Sequence, residues 1–174
     1  LVGAYSLGKA QRVISLLRRK GYDKPITIHG ALETITRYYQ ERGIALGDIE
    51  LVRGAKKSEL AGTVTIAPPS AIGDLWSRRF PDPVAAFASG WMRVRARARQ
   101  RGISLPLVIS DHADWDGLTA TIAATGCSEV WVTHGQEDAL VHWSRARGVK
   151  ARPLDIVGYG DEEYDEAAPE AGNA

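Results

Sequence analysis

Ser110-Asp111-His112-Ala113-Asp114-Trp115-Asp116-Gly117 places a histidine and three carboxylates within six residues. An apolar run, Leu105 to Ser110, precedes them, and a helical pattern from about Trp115 to Thr125 follows. That segment therefore leaves the carboxyl end of a strand and opens a helix. Asp114 stands where an N-cap side chain would accept hydrogen bonds from free amides of the first helical turn, an adequate structural use for it. His112 has no such use. Beside a helix N-terminus, whose amides attract anions, an imidazole is suited to hold a phosphate oxygen or to give a proton to a leaving oxygen. Val130-Trp131-Val132-Thr133-His134-Gly135-Gln136 repeats the order strand, histidine, turn, helix. In a right-handed βαβ unit both strands point the same way, so His112 and His134 are expected on the same rim of one sheet, where ligands of parallel sheets bind, and are read as serving one site. His29, after the short strand Ile26 to Ile28, is a weaker candidate, and His142, mid-helix beside Trp143, reads as structural. Two histidines do not make a catalytic zinc site, which ordinarily takes three protein ligands and a water. No H-x-H-x-D-H, H-E-x-x-H or C-x-x-C motif completes one.

Gly3-x4-Gly8-Lys9-Ala10 has the outline of a phosphate-cradling loop between strand and helix. Ala10 stands where that chemistry requires a hydroxyl for magnesium, so the segment is read as a glycine turn opening an amphipathic helix. Met92 to Gln100 alternates Arg93, Arg95, Arg97 and Arg99 with Val94, Ala96 and Ala98. At period two this is a strand with one arginine face, either an edge strand protected by charge or a strip contacting phosphates. The alanines also permit a helix. Trp91 and Trp115 could stack a base, but core packing is the expected use of both.

The elements that must position these residues alternate along the chain. Leu1 to Tyr5 reads as a buried strand; Ala10, Val13, Ile14 and Leu17 stripe a helix ending at Gly21; Leu32, Ile35 and Tyr39 stripe another ending at Gly43. Thr63 to Ala67, Val84 to Ala88, Leu105 to Ser110, Val130 to Thr133 and Lys150 to Leu154 read as strands, with a helix from about Glu137 to Arg147. The pattern is α/β with a largely parallel sheet.

The chain has 174 residues, 44% hydrophobic and 25% charged, which suits one globular domain or slightly more. No run is long and apolar enough for a membrane span, and no leader opens the chain, so a cytoplasmic protein is expected. The single cysteine, Cys127, excludes an internal disulfide and reads as a quiet structural thiol. Net charge is +1, but the tail from Gly160 holds six acids and no base. The body therefore sets 22 Lys and Arg against 15 Asp and Glu, +7, compatible with a polyanionic partner. The tail itself reads as disordered. Residue 1 is Leu and the only methionine is Met92, so the sequence is expected to be the C-terminal piece of a longer protein.

Ser110-Asp111-His112-Ala113-Asp114, followed some twenty residues on by Val132-Thr133-His134-Gly135, resembles the late S-x-H-[AT]-[DS] and V-H-G-[EQ] motifs of the β-CASP nucleases of the metallo-β-lactamase superfamily. Tyr5-Ser6-Leu7-Gly8-Lys9-Ala10-Gln11 is similar to their S-L-G-[RK]-[AT]-Q opening. Phe87-Ala88-Ser89-Gly90-Trp91-Met92 resembles the bacterial branch of ligase-associated DNA exonucleases and mRNA 3′-end-processing exonuclease-like proteins. The resemblance implies a β-CASP domain over residues 1–104, the returning C-terminal segment of a metallo-β-lactamase αββα domain over 105–158, and an acidic tail over 159–174. It implies that His134 ligates one of two divalent metal ions, zinc or manganese. It implies further that His112 acts catalytically at the scissile phosphate and that Ser110 contacts that phosphate; Arg93, Arg95 and Arg97 are the nucleic-acid contacts that the arginine strip itself offers. The implied activity is hydrolysis of nucleic acid, DNA rather than RNA, from an end, in repair beside an ATP-dependent DNA ligase. The family's other metal ligands lie upstream of the segment matched here, so residues 1–174 alone are expected to be inactive. The competing reading is a non-catalytic α/β domain that binds nucleic acid or protein through the arginines.

Overall fold

A computed structural model describes residues 1–133 and 137–154, and the chain divides into two compact units, Leu1–Asp111 and His112 onward. The first unit contains β1 (Val2–Gly3), α1 (Lys9–Arg19), β2 (Ile26–Ile28), α2 (Glu33–Glu41), β3 (Ile49–Leu51), β4 (Val64–Ala67), β5 (Ala86–Ala88), α3 (Arg95–Gln100) and β6 (Leu105–Leu107). Its strands form one six-stranded parallel sheet in the order β3-β2-β4-β1-β5-β6. The second unit contains α4 (Trp115–Thr125), β7 (Glu129–Val132), α5 (Glu137–Arg145) and β8 (Lys150–Pro153), with β7 and β8 paired in parallel. The α/β class with a parallel sheet flanked by helices is what the alternating pattern requires.

Period-two alternation sorts the sheet's side chains between its faces. Ile26, Ile28, Ile66, Ala86 and Ala88 pack with Ala10, Val13 and Ile14 of α1 and with Leu32 in one fully buried cluster. Phe87, the intervening residue of β5, joins Met92, Ala98 and Ile103 in another. Thr27 and Thr65, on neighbouring strands, join their hydroxyls in a buried hydrogen bond. The register leaves little room at β1, where a Cβ on Gly3 would come 2.4 Å from the Ile72 side chain and 3.0 Å from that of Phe87.

Three expectations change. The arginine segment is not a strand: Ser89 Oγ accepts from the Trp91 amide to open a 3-10 turn over Gly90–Arg93, and α3 follows. Arg and Ala are strong helix formers and only Val94 favours a strand, so helical propensity together with burial of Ala98 beside Phe87 outweighs the alternation. β6 and β7 do not share a sheet, since β6 ends the six-stranded sheet while β7 pairs with β8. β3 is an added strand, pairing Ile49 to Leu51 with Ile26 to Ile28. No helix among the described residues is long and apolar enough to cross a membrane.

Candidate functional site

The order of the strands creates a switch point. From β1 the chain moves toward β2 on one side, whereas from β5 it moves to β6 on the other. Right-handed crossovers then carry the following helices to opposite faces and open a crevice between the carboxyl ends of the two strands. Three of the motif segments leave that rim: Ala4 to Lys9 after β1, Ser89 to Met92 after β5, and Val108 to Asp111 after β6.

Gly8, at the N-cap of α1, has φ 77°, a left-handed conformation glycine adopts without strain. It turns the chain so that Lys9, the first residue of the helix, points inward. Lys9 is only 2% exposed. Its Nζ lies 3.0 Å from Asp111 Oδ1 and 4.8 Å from the centre of the Tyr5 ring. One turn on, Arg12 Nη1 donates to the Ser110 carbonyl at 2.8 Å. Gln11 is buried and donates through Nε2 to Thr36 Oγ1 at 3.0 Å, tying α1 to α2. The Ser89 amide donates to the Leu107 carbonyl at 3.1 Å. Gly90 faces Ser110 so closely that a Cβ on it would stand 3.4 Å from Ser110 Cβ and Oγ. Segments after β1 and β5 thus meet the loop that follows β6, Arg12 and Gly90 at Ser110 and Lys9 at Asp111. Lys9 is accordingly paired with a carboxylate, and Gly8 with Lys9 forms the glycine turn that opens the amphipathic α1.

His112 is the first residue of the second unit and is exposed. Asp114 is the N-cap of α4, its Oδ1 accepting from the Gly117 amide at 2.8 Å, as its position predicts. Replacing it with Ala should cost about 1 kcal/mol. Chemical denaturation of Asp114→Ala checks this, and an unchanged midpoint would remove the cap from the account. His134 lies outside the described residues, as does the acidic tail. Among the described residues no three His, Cys, Asp or Glu side chains cluster closely enough to hold a metal ion.

In the helical form the arginines are distributed differently from a strand face. Arg95, Arg97 and Arg99 lie within α3 and Arg101 caps it, whereas Arg93 ends the preceding 3-10 turn and is separated from the helix by the extended Val94. The Arg97 guanidinium stacks 3.9 Å from the Trp91 ring centre. No Asp or Glu lies between Asp82 and Asp111, so this stretch presents positive charge alone. Trp91 and Trp115 are each about half exposed, 49% and 46%, where core packing was expected. Cys127 is partly exposed.

His29 leaves β2 on the same edge of the sheet. Its Nδ1 accepts from the Ala31 amide at 3.0 Å and its ring meets Trp76 edge-on at 4.6 Å. Burial, and then the Arg79 charge, lowers its pKa from the ordinary 6.5. The unfolded chain takes up a proton near pH 6.5 that the folded chain refuses, so this group's contribution to stability is present above that pH and declines as pH falls below it. An NMR titration of His29 should give a midpoint below 6.5, and a midpoint at or above it would contradict the geometry. His142 lies exposed in the last turn of α5.

The residues that sequence reasoning passed over are Lys9, Arg12 and Asp111. Lys9 was visible as the cation of a motif and Asp111 as one of three nearby carboxylates. Nothing in the spacing pairs them, because they come from opposite ends of the first unit.

No protein-family model matches the chain, and no solved structure matches it. A curated protein described as a probable DNA ligase, from Opitutus terrae, is 28% identical over 147 residues. The alignment covers 84% of this chain and 14% of that protein, so the chain spans about a seventh of its relative's length.

Proposed function

We propose that this chain is the C-terminal part of a metal-dependent nuclease that degrades DNA from an end. The observation that supports this reading is the meeting of three motif segments at the sheet rim: Tyr5 to Gln11, Phe87 to Met92, and Ser110 with Asp111. Strand order brings these three segments to one rim, and what supports the reading is that the segments it brings together are the ones that carry the nuclease-like motifs. The switch-point crevice is where a parallel sheet receives its ligand. DNA as the substrate, and work beside a ligase, draw on the resemblance carried by Phe87 to Met92, and the relative's description as a probable DNA ligase agrees with a link to DNA.

In this reading Ser110 offers a hydroxyl to a phosphate oxygen. Hydrolysis forms a bond from a water oxygen to phosphorus as the bond from phosphorus to the 3′ oxygen breaks, and the departing oxygen takes a proton from the imidazolium form of His112, which is left neutral. Arg93, Arg95 and Arg97 attract the backbone, a contribution that positions without reading sequence. His134 is the ligand this chain offers to one of two divalent ions, zinc or manganese. The described residues do not by themselves fit a dimetal centre.

The test uses end-labelled DNA and two preparations, the longer protein carrying this segment and residues 1–174 alone. The longer protein should shorten the label in the presence of manganese or zinc, and the segment alone should leave it intact. Robust metal-dependent degradation by the segment alone would overturn the assignment of ligands outside it.

A further inference from the structure

Lys9 is expensively placed for a residue that merely fills space. Its ammonium is buried, which is costly for a charge, and it sits at the first position of an eleven-residue helix, whose amino end repels cations. α1 has no acidic residue in its first turn to offset it. The compensation comes from elsewhere in the chain: Asp111 at 3.0 Å and the Tyr5 ring face at 4.8 Å. Asp111 in turn adjoins Ser110, whose carbonyl Arg12 holds at 2.8 Å. A carboxylate beside a residue that receives phosphate would repel that phosphate. A buried cation permanently paired with it cancels the repulsion while leaving the loop anchored.

We propose that Lys9 is a positioning and charge-compensating residue for phosphodiester binding, holding Asp111 neutralised next to Ser110, with Arg12 fixing the backbone of the same loop. This rests on the reading of Ser110 as a phosphate contact. It separates from a purely structural role because the two predict different behaviour of a double variant. If the pair only holds the loop, removing both partners leaves the loop unheld. If the pair silences a charge, removing both leaves nothing to silence.

The experiment measures binding of a fluorescent single-stranded oligonucleotide in EDTA to the longer protein, alongside its melting temperature. Lys9→Met should weaken binding by about tenfold, because the Asp111 carboxylate, its side chain 35% exposed, would then face the phosphate without its cation. Lys9→Met/Asp111→Asn should return to within about threefold of the parent. Wild-type affinity in Lys9→Met, or a double variant as weak as the single, overturns the proposal. Should Lys9→Met fail to fold, Asp111→Asn decides: binding at least as tight as the parent's supports charge compensation, and weaker binding overturns it. Because binding is read in EDTA, absence of cleavage by the parent would defeat the nuclease reading without altering this result.

Discussion

His112→Ala in the longer protein should lower the rate of DNA cleavage by about 10²–10⁴-fold, the usual contribution of a proton donor positioned at a leaving group. Affinity for DNA in EDTA should stay within a few-fold of the parent's, because the histidine acts on a proton and the backbone is held mainly by charge. The expectation rests on the sequence: His112 stands two residues after Ser110 and two before Asp114, the N-cap of α4. Unchanged cleavage would remove His112 from the chemistry. If instead the arginines around α3 govern affinity and its salt dependence while His112 and His134 have no effect on any activity, the chain is a binding module.

Ile28→Ala should destabilise the first unit by about 2–5 kcal/mol, the range for emptying a fully buried aliphatic position. Ile28 is 1% exposed and belongs to the cluster between the sheet and α1. Its strand β2 pairs with β3 on one side and β4 on the other, so relaxation into the cavity is resisted from both. Leu7→Ala, at 66% exposure, should change stability by less than about 0.5 kcal/mol. Urea denaturation of both variants checks the pair of expectations. Similar midpoints for the two would mean that the core does not lie where the sheet packing puts it.

The alternation of strands and helices was legible because each element carries its own periodicity. α1 runs Lys9–Arg19 on the stripe Ala10, Val13, Ile14, Leu17, and α4 begins after the cap that Asp114 announces. Elements without a private signature were misread or missed. β3 is three residues long and earns its strand only by pairing with β2, which no local pattern reveals. The arginine segment satisfies period two by composition, but alternating Arg and Ala is equally good helix, and burial of Ala98 decides it. The candidate site was legible in part. Ser110 and His112 stood out because a strand end feeding a helix N-terminus has known chemistry. The Lys9–Asp111 pair did not, since an ion pair between distant segments follows from strand order, and that order places β1 beside β5 and β6 beyond it. Putting His112 and His134 on one sheet assumed that consecutive strands are neighbours, whereas β7 pairs with β8.

The most direct test of the central claim is to incubate the longer protein with end-labelled single-stranded DNA and manganese, and to repeat the reaction with chelator and with His134→Ala. A metal-dependent nuclease that uses His134 as a ligand shortens the DNA in the first reaction and leaves it intact in the other two. DNA left intact by the parent under manganese and under zinc, or shortened equally in all three reactions, would contradict it.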